Sequence, residues 1–222
     1  MFTFFWGILS VVLGIKLVLF LVHLLLAKFG RNIGLGTKWT PDKGEYAMIV
    51  GASGAVGSEY AREFASMGFN LLLISRNAAK LEKLAAEFKE KYKIKDIKVL
   101  SVDFFQPSSI ETVRQTVKGV EDIVALVNCM GGSYPPKKFA EYPLSYNHDM
   151  INMAVITPVL MIEMVLPKML EKGKGAIINY NSMAGRFKFP LFSTFSACKA
   201  FMATFSDILS VEYAGDGITV QN

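Results

Sequence analysis

The chain has 222 residues, of which 52% are hydrophobic and 19% charged, and its formal net charge is +5. This length is sufficient for one globular domain with a sizeable core. Residues 1–45 hold five Lys or Arg and two acidic residues, so the rest of the chain carries only +2. That distribution does not fit a nucleic-acid-binding surface. The two Cys and two His residues match neither a disulfide framework nor a zinc site, so we predict no metal and a reducing compartment.

An almost continuous apolar segment opens the chain over residues 2–27, interrupted by Lys16 and His23. A helix that rises 1.5 Å per residue over this length can cross the roughly 30 Å of hydrocarbon in a bilayer. The segment is longer than the core of a signal peptide and is not rich in Arg and Ser, as a mitochondrial presequence would be. We therefore predict a transmembrane anchor at residues 1–28 that contacts lipid through residues 2–27. A buried hairpin or an interfacial helix is the alternative.

The residues after this segment are basic and polar. Lys28 and Arg31 follow it directly, and positive residues favour the cytoplasmic side of a membrane. Residues 29–45 contain glycines and a proline among polar residues, which is typical of a juxtamembrane linker. Lys16 lies in the middle of the predicted span, where exposure to lipid is costly. It therefore indicates a partner helix in a membrane protein complex.

Short β-rich runs alternate with longer helical stretches after residue 45. The runs cover residues 46–50, 70–75, 97–102, 123–127, 176–180 and 218–221. This alternation is typical of βαβ units, in which helices cover both faces of a parallel sheet. We predict an α/β fold with a Rossmann-type doubly wound parallel sheet over residues 46–222, preceded by one transmembrane helix.

A glycine-rich loop follows the first predicted strand. Residues 50–57 read V-G-A-S-G-A-V-G, and a helix is predicted over residues 58–67. Glycines between a strand and a helix let backbone N–H groups approach a pyrophosphate at the helix N-terminus. The second predicted strand ends in Ser75 and Arg76, where NAD-binding proteins place a carboxylate for the ribose 2′-hydroxyl. An arginine at this position favours the 2′-phosphate of NADP(H), unless it is only an exposed residue at a helix start.

Together these motifs resemble those of the short-chain dehydrogenase/reductase family, from about residue 46 to the end. The family's Thr-Gly-x-x-x-Gly-x-Gly motif is present with Val50 and Ala55 in place of Thr and the middle Gly. Asp103 and Phe104 match its adenine-contacting position, and the run N-C-M-G at 128–131 matches its Asn-Asn-Ala-Gly motif. The cofactor-binding residues that the resemblance implies are Gly51, Ser53, Ala55, Val56, Gly57, Ser75, Arg76, Asp103, Phe104, Asn128 and Lys199.

One branch of this family is the most similar to the chain. The apolar N-terminus, the L-I-S-R strand end at 73–76 and the V-L-P-K-M run at 165–169 resemble membrane-bound 17β-hydroxysteroid dehydrogenases and very-long-chain 3-oxoacyl-CoA reductases. The resemblance implies keto reduction with NADPH in lipid metabolism, at the cytoplasmic face of the endoplasmic reticulum. The mitochondrial inner membrane is the alternative location. The branch also includes an inactive hydroxysteroid-dehydrogenase-like member with Phe at the tyrosine position.

Four catalytic positions of the family can be assigned through the resemblance. The family uses a Ser to bind the carbonyl, a Tyr to deliver the proton, a Lys four residues later and an Asn that anchors a relay water. Ser182 and Lys199 match the first and third, whereas Phe195 occupies the Tyr position and Ala154 the Asn position, with Asn152 on another helix face. General acid catalysis contributes about 10²- to 10⁴-fold in rate. The resemblance therefore implies a pseudoenzyme that still holds NADP(H) through Lys199.

Three functions remain open from the sequence. The first is a catalytically impaired accessory or scaffold protein of a membrane assembly. The second is a working NADPH-dependent reductase of 3-oxoacyl-CoA or ketosteroids that uses a substitute hydroxyl, for which Tyr180 is the candidate. The third is a lipid-binding module without cofactor. Family members continue past the sixth strand into a Pro-Gly loop, a substrate lid and a last strand. We therefore expect either a longer protein or a domain that lacks its lid.

Overall fold

The structure is a computed structural model that describes residues 2–29, 39–106, 108–132 and 135–222. It divides into two compact units, Met1–Trp39 and Thr40–Asn222. Arg31 and most of the predicted linker lie outside the described residues, so the boundaries predicted at 28 and 45 stay predictions.

Helix α1 covers Phe2–Phe29, a length of 28 residues, and belongs to the first unit. Its apolar stretch Ser10–Leu26 is exposed along its whole length. Ser10–Leu26 is a shorter apolar stretch, whereas Leu144–Lys172 is the one stretch among the described residues that is long and apolar enough to cross a membrane. That stretch packs against the sheet of the second unit and contributes to its core. Helix α1 is thus the candidate for the predicted anchor.

The second unit is a three-layer α/β structure. Its strands are β1 Tyr46–Val50, β2 Asn70–Ser75, β3 Ile97–Ser101, β4 Ile123–Asn128, β5 Gly175–Asn179 and β6 Ile218–Gln221. Its helices are α2 Ala55–Ser66, α3 Ala78–Tyr92, α4 Ser109–Lys118, α5 Leu144–Ile151, α6 Thr157–Lys172 and α7 Ser193–Glu212. The described strands form one sheet in the order β3-β2-β1-β4-β5-β6, and every pairing is parallel. The predicted fold class is confirmed.

The central strands β1 and β4 are buried along their whole length. Helices cover both faces of such a sheet, so its strands are continuous apolar runs and are easily recognised in the sequence. The observed strands match the predicted runs at eight ends and differ from them by one residue at the other four. Helix α2 begins three residues earlier than predicted, because Gly54 is already the extended N-cap residue (φ −80°, ψ 162°).

A π-helical turn, Asn152–Ile156, joins α5 to α6 in one continuous helical stretch. Single π-turns of this kind are rare in proteins, and those that occur often lie at functional sites. The Ala154 side chain is buried and the Asn152 side chain is exposed. The two residues therefore lie on different faces, as the register predicted.

A buried carboxylate, Glu45, ties the start of β1 to the end of α6. Its side chain is fully buried, and its oxygens lie 2.9 Å from Lys172 Nζ and 2.8 Å from Lys174 Nζ. Burial alone would raise the pKa of Glu45, but hydrogen bonds from Lys174 and Lys172 outweigh it and lower this pKa below 4.5. A carboxyl group with a depressed pKa stabilises the fold above its unfolded pKa and loses this contribution as the pH falls through its folded pKa.

We expect Glu45→Gln to lower the free energy of unfolding at neutral pH by about 2–3 kcal/mol. This is below the 3–5 kcal/mol typical of fully buried pairs, because both lysines stay partly exposed. Urea denaturation over a pH series measures it: wild type should lose stability below pH 4.5, and the variant should lose less. The exposed Glu212→Gln serves as control. Equal acid sensitivity of wild type and Glu45→Gln would contradict the assignment.

Candidate active site

Two positions of the loop after β1 require glycine. Gly51 has φ +87°, and a Cβ there would lie 2.6 Å from the Cys129 carbonyl oxygen. A Cβ on Gly57 would lie 2.2 Å from the Gly51 carbonyl oxygen. The backbone N–H groups of Gly51 and Ala52 both donate to the Ile74 carbonyl, at 2.8 and 3.2 Å. The loop therefore turns tightly against the ends of β2 and β4.

The Ala55 departure from the family motif falls on the first residue of α2. The Ala55 side chain is exposed, and Val56 and Gly57 complete the first turn. The backbone N–H groups of a first helical turn have no acceptor within the helix and can bind an anion. Ala55 adds a methyl group close to this anion position, and we predict that it weakens pyrophosphate binding without preventing it.

One cleft, which we call the loop cleft, lies on the β2 side of this turn and has a volume of about 240 Å³. Its walls include Gly51, Ser53, Ser75, Arg76, Asp103 and Phe104. The hydroxyl oxygens of Ser53 and Ser75 lie 2.6 Å apart. The Arg76 guanidinium stacks over the Phe105 ring, 5.4 Å from its centroid. The loop cleft thus offers hydroxyls and one arginine to a polar ligand.

A second cavity, the lysine cavity, lies on the β5 side and has a volume of about 400 Å³. Its walls include Ala55, Val56, Gly57, Tyr146, Tyr180, Ser182, Phe192, Phe195 and Lys199. The two spaces share Gly54, Cys129 and Gly131. They therefore lie on either side of the glycine-rich turn, between β1 and β4, where the strand order reverses. Ligands of doubly wound sheets bind at this position.

Lys199 is the buried cation of the lysine cavity. Its Nζ donates to the Tyr180 carbonyl at 2.8 Å and lies 5.7 Å from the Tyr180 ring centroid and 5.8 Å from that of Phe195. Burial lowers the pKa of Lys199, and burial raises the pKa of the neighbouring Cys129 thiol to about 12. Cys129 is therefore a neutral thiol at physiological pH, and the ammonium faces a ring that has no hydroxyl.

Ser182 lines the lysine cavity, whereas Ala154 is not one of its wall residues. The Ser182 hydroxyl accepts a hydrogen bond from the Ala184 N–H at 3.2 Å and caps a short 3₁₀ turn, Met183–Gly185. Ala154 is buried in an apolar cluster with Tyr146, Met150 and Cys198, and Phe195 packs against the same cluster. The two departures from the family pattern, Phe195 and Ala154, thus belong to one apolar patch.

In the structure, a different tyrosine becomes the candidate for a substitute hydroxyl. Strand β5 ends at Asn179, so Tyr180, the last residue of the predicted run 176–180, lies beyond the strand and is 46% exposed. A second tyrosine, Tyr146, was not identified from the sequence. It is 5% exposed, lines the lysine cavity and stacks on Tyr142 with a centroid distance of 3.9 Å. Its position in a helical apolar stripe is the signal of an ordinary core residue.

Asn128 lies below the two clefts and lines neither. Its side-chain amide donates to Asn179 Oδ1 at 2.9 Å, and Asn179 Nδ2 lies 2.9 Å from the Ser206 hydroxyl. All three side chains are buried. This network links β4, β5 and α7 beneath the site, and a direct role of Asn128 in cofactor binding stays a prediction.

Comparison with known proteins agrees with this architecture. Several curated relatives are very-long-chain 3-oxoacyl-CoA reductases. Those of Macaca fascicularis and Homo sapiens are 37% and 36% identical over 196 residues, which cover 87% of this chain and 61% of each relative. That of Anas platyrhynchos is 40% identical over 186 residues, 82% of this chain and 59% of the relative. The chain thus spans about three fifths of the length of these relatives.

Solved structures show the same fold. A short-chain dehydrogenase from Sphingobium yanoikuyae in complex with NADPH superposes with a TM-score of 0.74 at 28% identity, covering 80% of this chain and 68% of that one. A bulky-bulky ketone specific alcohol dehydrogenase from Comamonas testosteroni gives 0.75 at 27% identity, with 80% and 70% covered. The short chain dehydrogenase family model matches residues 45–222. The chain therefore belongs to the short-chain dehydrogenase family.

Proposed function

We propose that this chain is a membrane-anchored, NADP(H)-binding family member in which keto reduction is severely impaired at proton transfer. One observation supports this most strongly. The ring of Phe195 stands 5.8 Å from the Lys199 ammonium in a cavity that Ser182 also lines. The group that should exchange a proton with the substrate is therefore a hydrocarbon ring.

The residues around both clefts fit NADP(H). Arg76 and Ser75 would hold the 2′-phosphate in the loop cleft, and the first turn of α2 would hold the pyrophosphate. Lys199 would donate to the ribose hydroxyls in the lysine cavity. The lack of space for a Cβ at Gly51 and Gly57 supports a tight turn at which a pyrophosphate can approach the backbone. NADPH, when bound, supplies the hydride of the reaction.

Reduction of a ketone also requires a proton on the oxygen that receives negative charge. Ser182 can donate a hydrogen bond to that oxygen through its hydroxyl, although the hydroxyl also accepts from Ala184. Lys199 is engaged with the Tyr180 carbonyl, and burial lowers its pKa. Without a positioned acid the rate should fall by about 10²- to 10⁴-fold.

The substrate class that we propose for any residual activity is long-chain 3-oxoacyl-CoA or a ketosteroid. The named relatives act on 3-oxoacyl-CoA. The apolar walls of the lysine cavity, among them Met150, Phe192 and Phe195, suit an aliphatic or ring substrate. With chemistry impaired, an accessory or scaffold role in a membrane assembly is the function that we propose for the chain.

Helix α1 would anchor this protein in the membrane, for which we propose the endoplasmic reticulum. Lys16 and His23 are seven residues apart, which places them on one helix face, and both are exposed. Two cationizable groups on one face of a span favour a partner helix with a complementary acidic or polar residue. This arrangement supports an assembly partner within the bilayer.

A working reductase is the second candidate, and one observation favours it. The largely buried Tyr146 lines the lysine cavity together with Ser182, Phe195 and Lys199. A phenol there offers the hydroxyl that Phe195 lacks. If it acts as the donor, Tyr146→Phe should abolish turnover, whereas the impaired-enzyme proposal expects no measurable change.

The cofactor is tested by Arg76→Ala. We expect the substitution to weaken NADPH binding by about tenfold or more, because an Arg–phosphate hydrogen bond contributes roughly 1.5–3 kcal/mol. NADH binding should change little, since NADH has no 2′-phosphate. Calorimetric titration of the full chain with each cofactor measures both, and Lys98→Ala on β3 is the charge-matched control. Equal losses for the two cofactors would contradict the assignment of Arg76.

A further inference from the structure

Two surface segments next to the lysine cavity combine basic and aromatic residues. Residues 186–191 read R-F-K-F-P-L, and residues 135–142 read P-P-K-K-F-A-E-Y. We call these two segments the docking surface. They contain four cations and one carboxylate, Glu141, which accepts from the Lys138 N–H. The surface is therefore strongly positive.

Hydrogen bonds to the Leu191 carbonyl join the two segments. The Lys137 N–H donates to the Leu191 carbonyl at 3.2 Å. The Tyr142 hydroxyl lies 2.9 Å from the same carbonyl and 3.0 Å from that of Pro135. The two segments therefore meet at Leu191, the last residue of the basic and aromatic run 186–191.

The apolar side chains of the docking surface face solvent. Phe139 and Phe187 are 62% and 61% exposed, and Phe189 and Leu191 are 42% and 43% exposed. A single exposed apolar residue is ordinary, but a contiguous group indicates an interaction site. Phe192, which follows directly, lines the lysine cavity. The surface therefore lies beside that cavity.

We propose that the docking surface binds the headgroup region of an anionic phospholipid bilayer. Aromatic side chains favour the membrane–water interface, and cations add attraction to anionic lipid headgroups. The alternation of Arg186, Phe187, Lys188 and Phe189 supplies both kinds of contact within four residues. A bilayer held there would give a membrane-dissolved acyl or steroid chain a short path to the cavity. The proposal does not depend on catalytic activity.

Fluorescence quenching in proteoliposomes tests this directly. The full chain, with Trp6→Phe and Trp39→Phe, receives one probe, Phe189→Trp, and is reconstituted with phosphatidylcholine alone or mixed with phosphatidylserine. Brominated lipid should quench this probe strongly in the anionic vesicles, and acrylamide in the water should quench it weakly. A second probe, Val211→Trp, replaces a 77% exposed residue of α7. Acrylamide should quench this probe strongly, and brominated lipid should quench it weakly.

Charge variants measure how much the basic residues of the docking surface contribute to bilayer binding. Each Lys or Arg near an anionic surface contributes about fivefold to the binding equilibrium, so Arg186→Ser with Lys188→Ser should lower the ratio of docked to undocked protein about 25-fold. Lys89→Ser with Lys91→Ser on α3 removes the same charge elsewhere and should change little. Free access of acrylamide to the Phe189→Trp probe would overturn the proposal. Shielding of that probe from both quenchers would also overturn it, in favour of a protein contact.

Discussion

Phe195→Tyr combined with Ala154→Asn should raise the rate of NADPH-dependent keto reduction by about 10²-fold or more over wild type. The new phenol would stand four residues before Lys199 on α7, with its ring at the present 5.8 Å from the ammonium. A nearby ammonium lowers the pKa of a phenol, which suits it to exchange a proton with the substrate oxygen. Steady-state assays with 3-oxoacyl-CoA and with a ketosteroid measure the effect.

The pair is the appropriate test because Ala154 and Phe195 pack against the same apolar cluster. Substitutions at contacting residues that act together are not additive, so Phe195→Tyr alone is expected to recover less than the pair. Ala154→Asn places an amide in a buried site, and a melting curve must show that the fold persists. Phe201→Tyr adds the same hydroxyl on an exposed part of α7 and should recover nothing. A double variant that binds NADPH but stays inactive would place the defect elsewhere.

Gly57→Ala should lower the free energy of unfolding by about 1–3 kcal/mol or more and weaken NADPH binding by at least about tenfold. A Cβ at this position would lie 2.2 Å from the Gly51 oxygen and 2.8 Å from the Gly51 carbonyl carbon. Both atoms are backbone, so the loop or the first turn of α2 must move. Because that turn would hold the pyrophosphate, stability and cofactor affinity should fall together.

Gly54→Ala is the matched control for stability. Its Cβ would lie 3.2 Å from the Gly51 oxygen, and its φ of −80° suits any residue. We expect a smaller loss of unfolding free energy than for Gly57→Ala, because the Gly51 oxygen has to shift by only a few tenths of an ångström. Denaturant unfolding of both variants, followed by NADPH titration, gives the comparison. Similar stability of Gly57→Ala and Gly54→Ala would show that the close packing of Gly57 has little energetic weight.

The sheet could be predicted from the sequence because its buried strands are uninterrupted apolar runs, as in β1 and β4. The glycine-rich turn and the spacing of Phe195 and Lys199 are local patterns, and the structure brings both to the same cavity. The Ser75–Arg76 pair at the strand end is also a local sequence pattern, and both residues line the loop cleft.

Other features depend on contacts between distant parts of the chain. Asn128 and Asn179 are hydrogen-bonded across 51 positions, and Asn179 and Ser206 across 27. The pairing of residues 135–142 with Leu191 is also long-range. No sequence pattern marks the π-turn at Asn152–Ile156, although Ala154 lies within it. Such features arise from tertiary packing, which periodicity does not describe.

Turnover of wild-type full chain at saturating NADPH is the most direct test of the impaired-enzyme proposal. The protein should bind NADPH in a calorimetric titration and, with 3-oxoacyl-CoA or ketosteroid, oxidise it no faster than a Lys199→Met control. Binding without turnover is the result that the geometry of Phe195, Ala154 and Lys199 predicts. Robust wild-type turnover that Phe195→Tyr with Ala154→Asn leaves unchanged would contradict it.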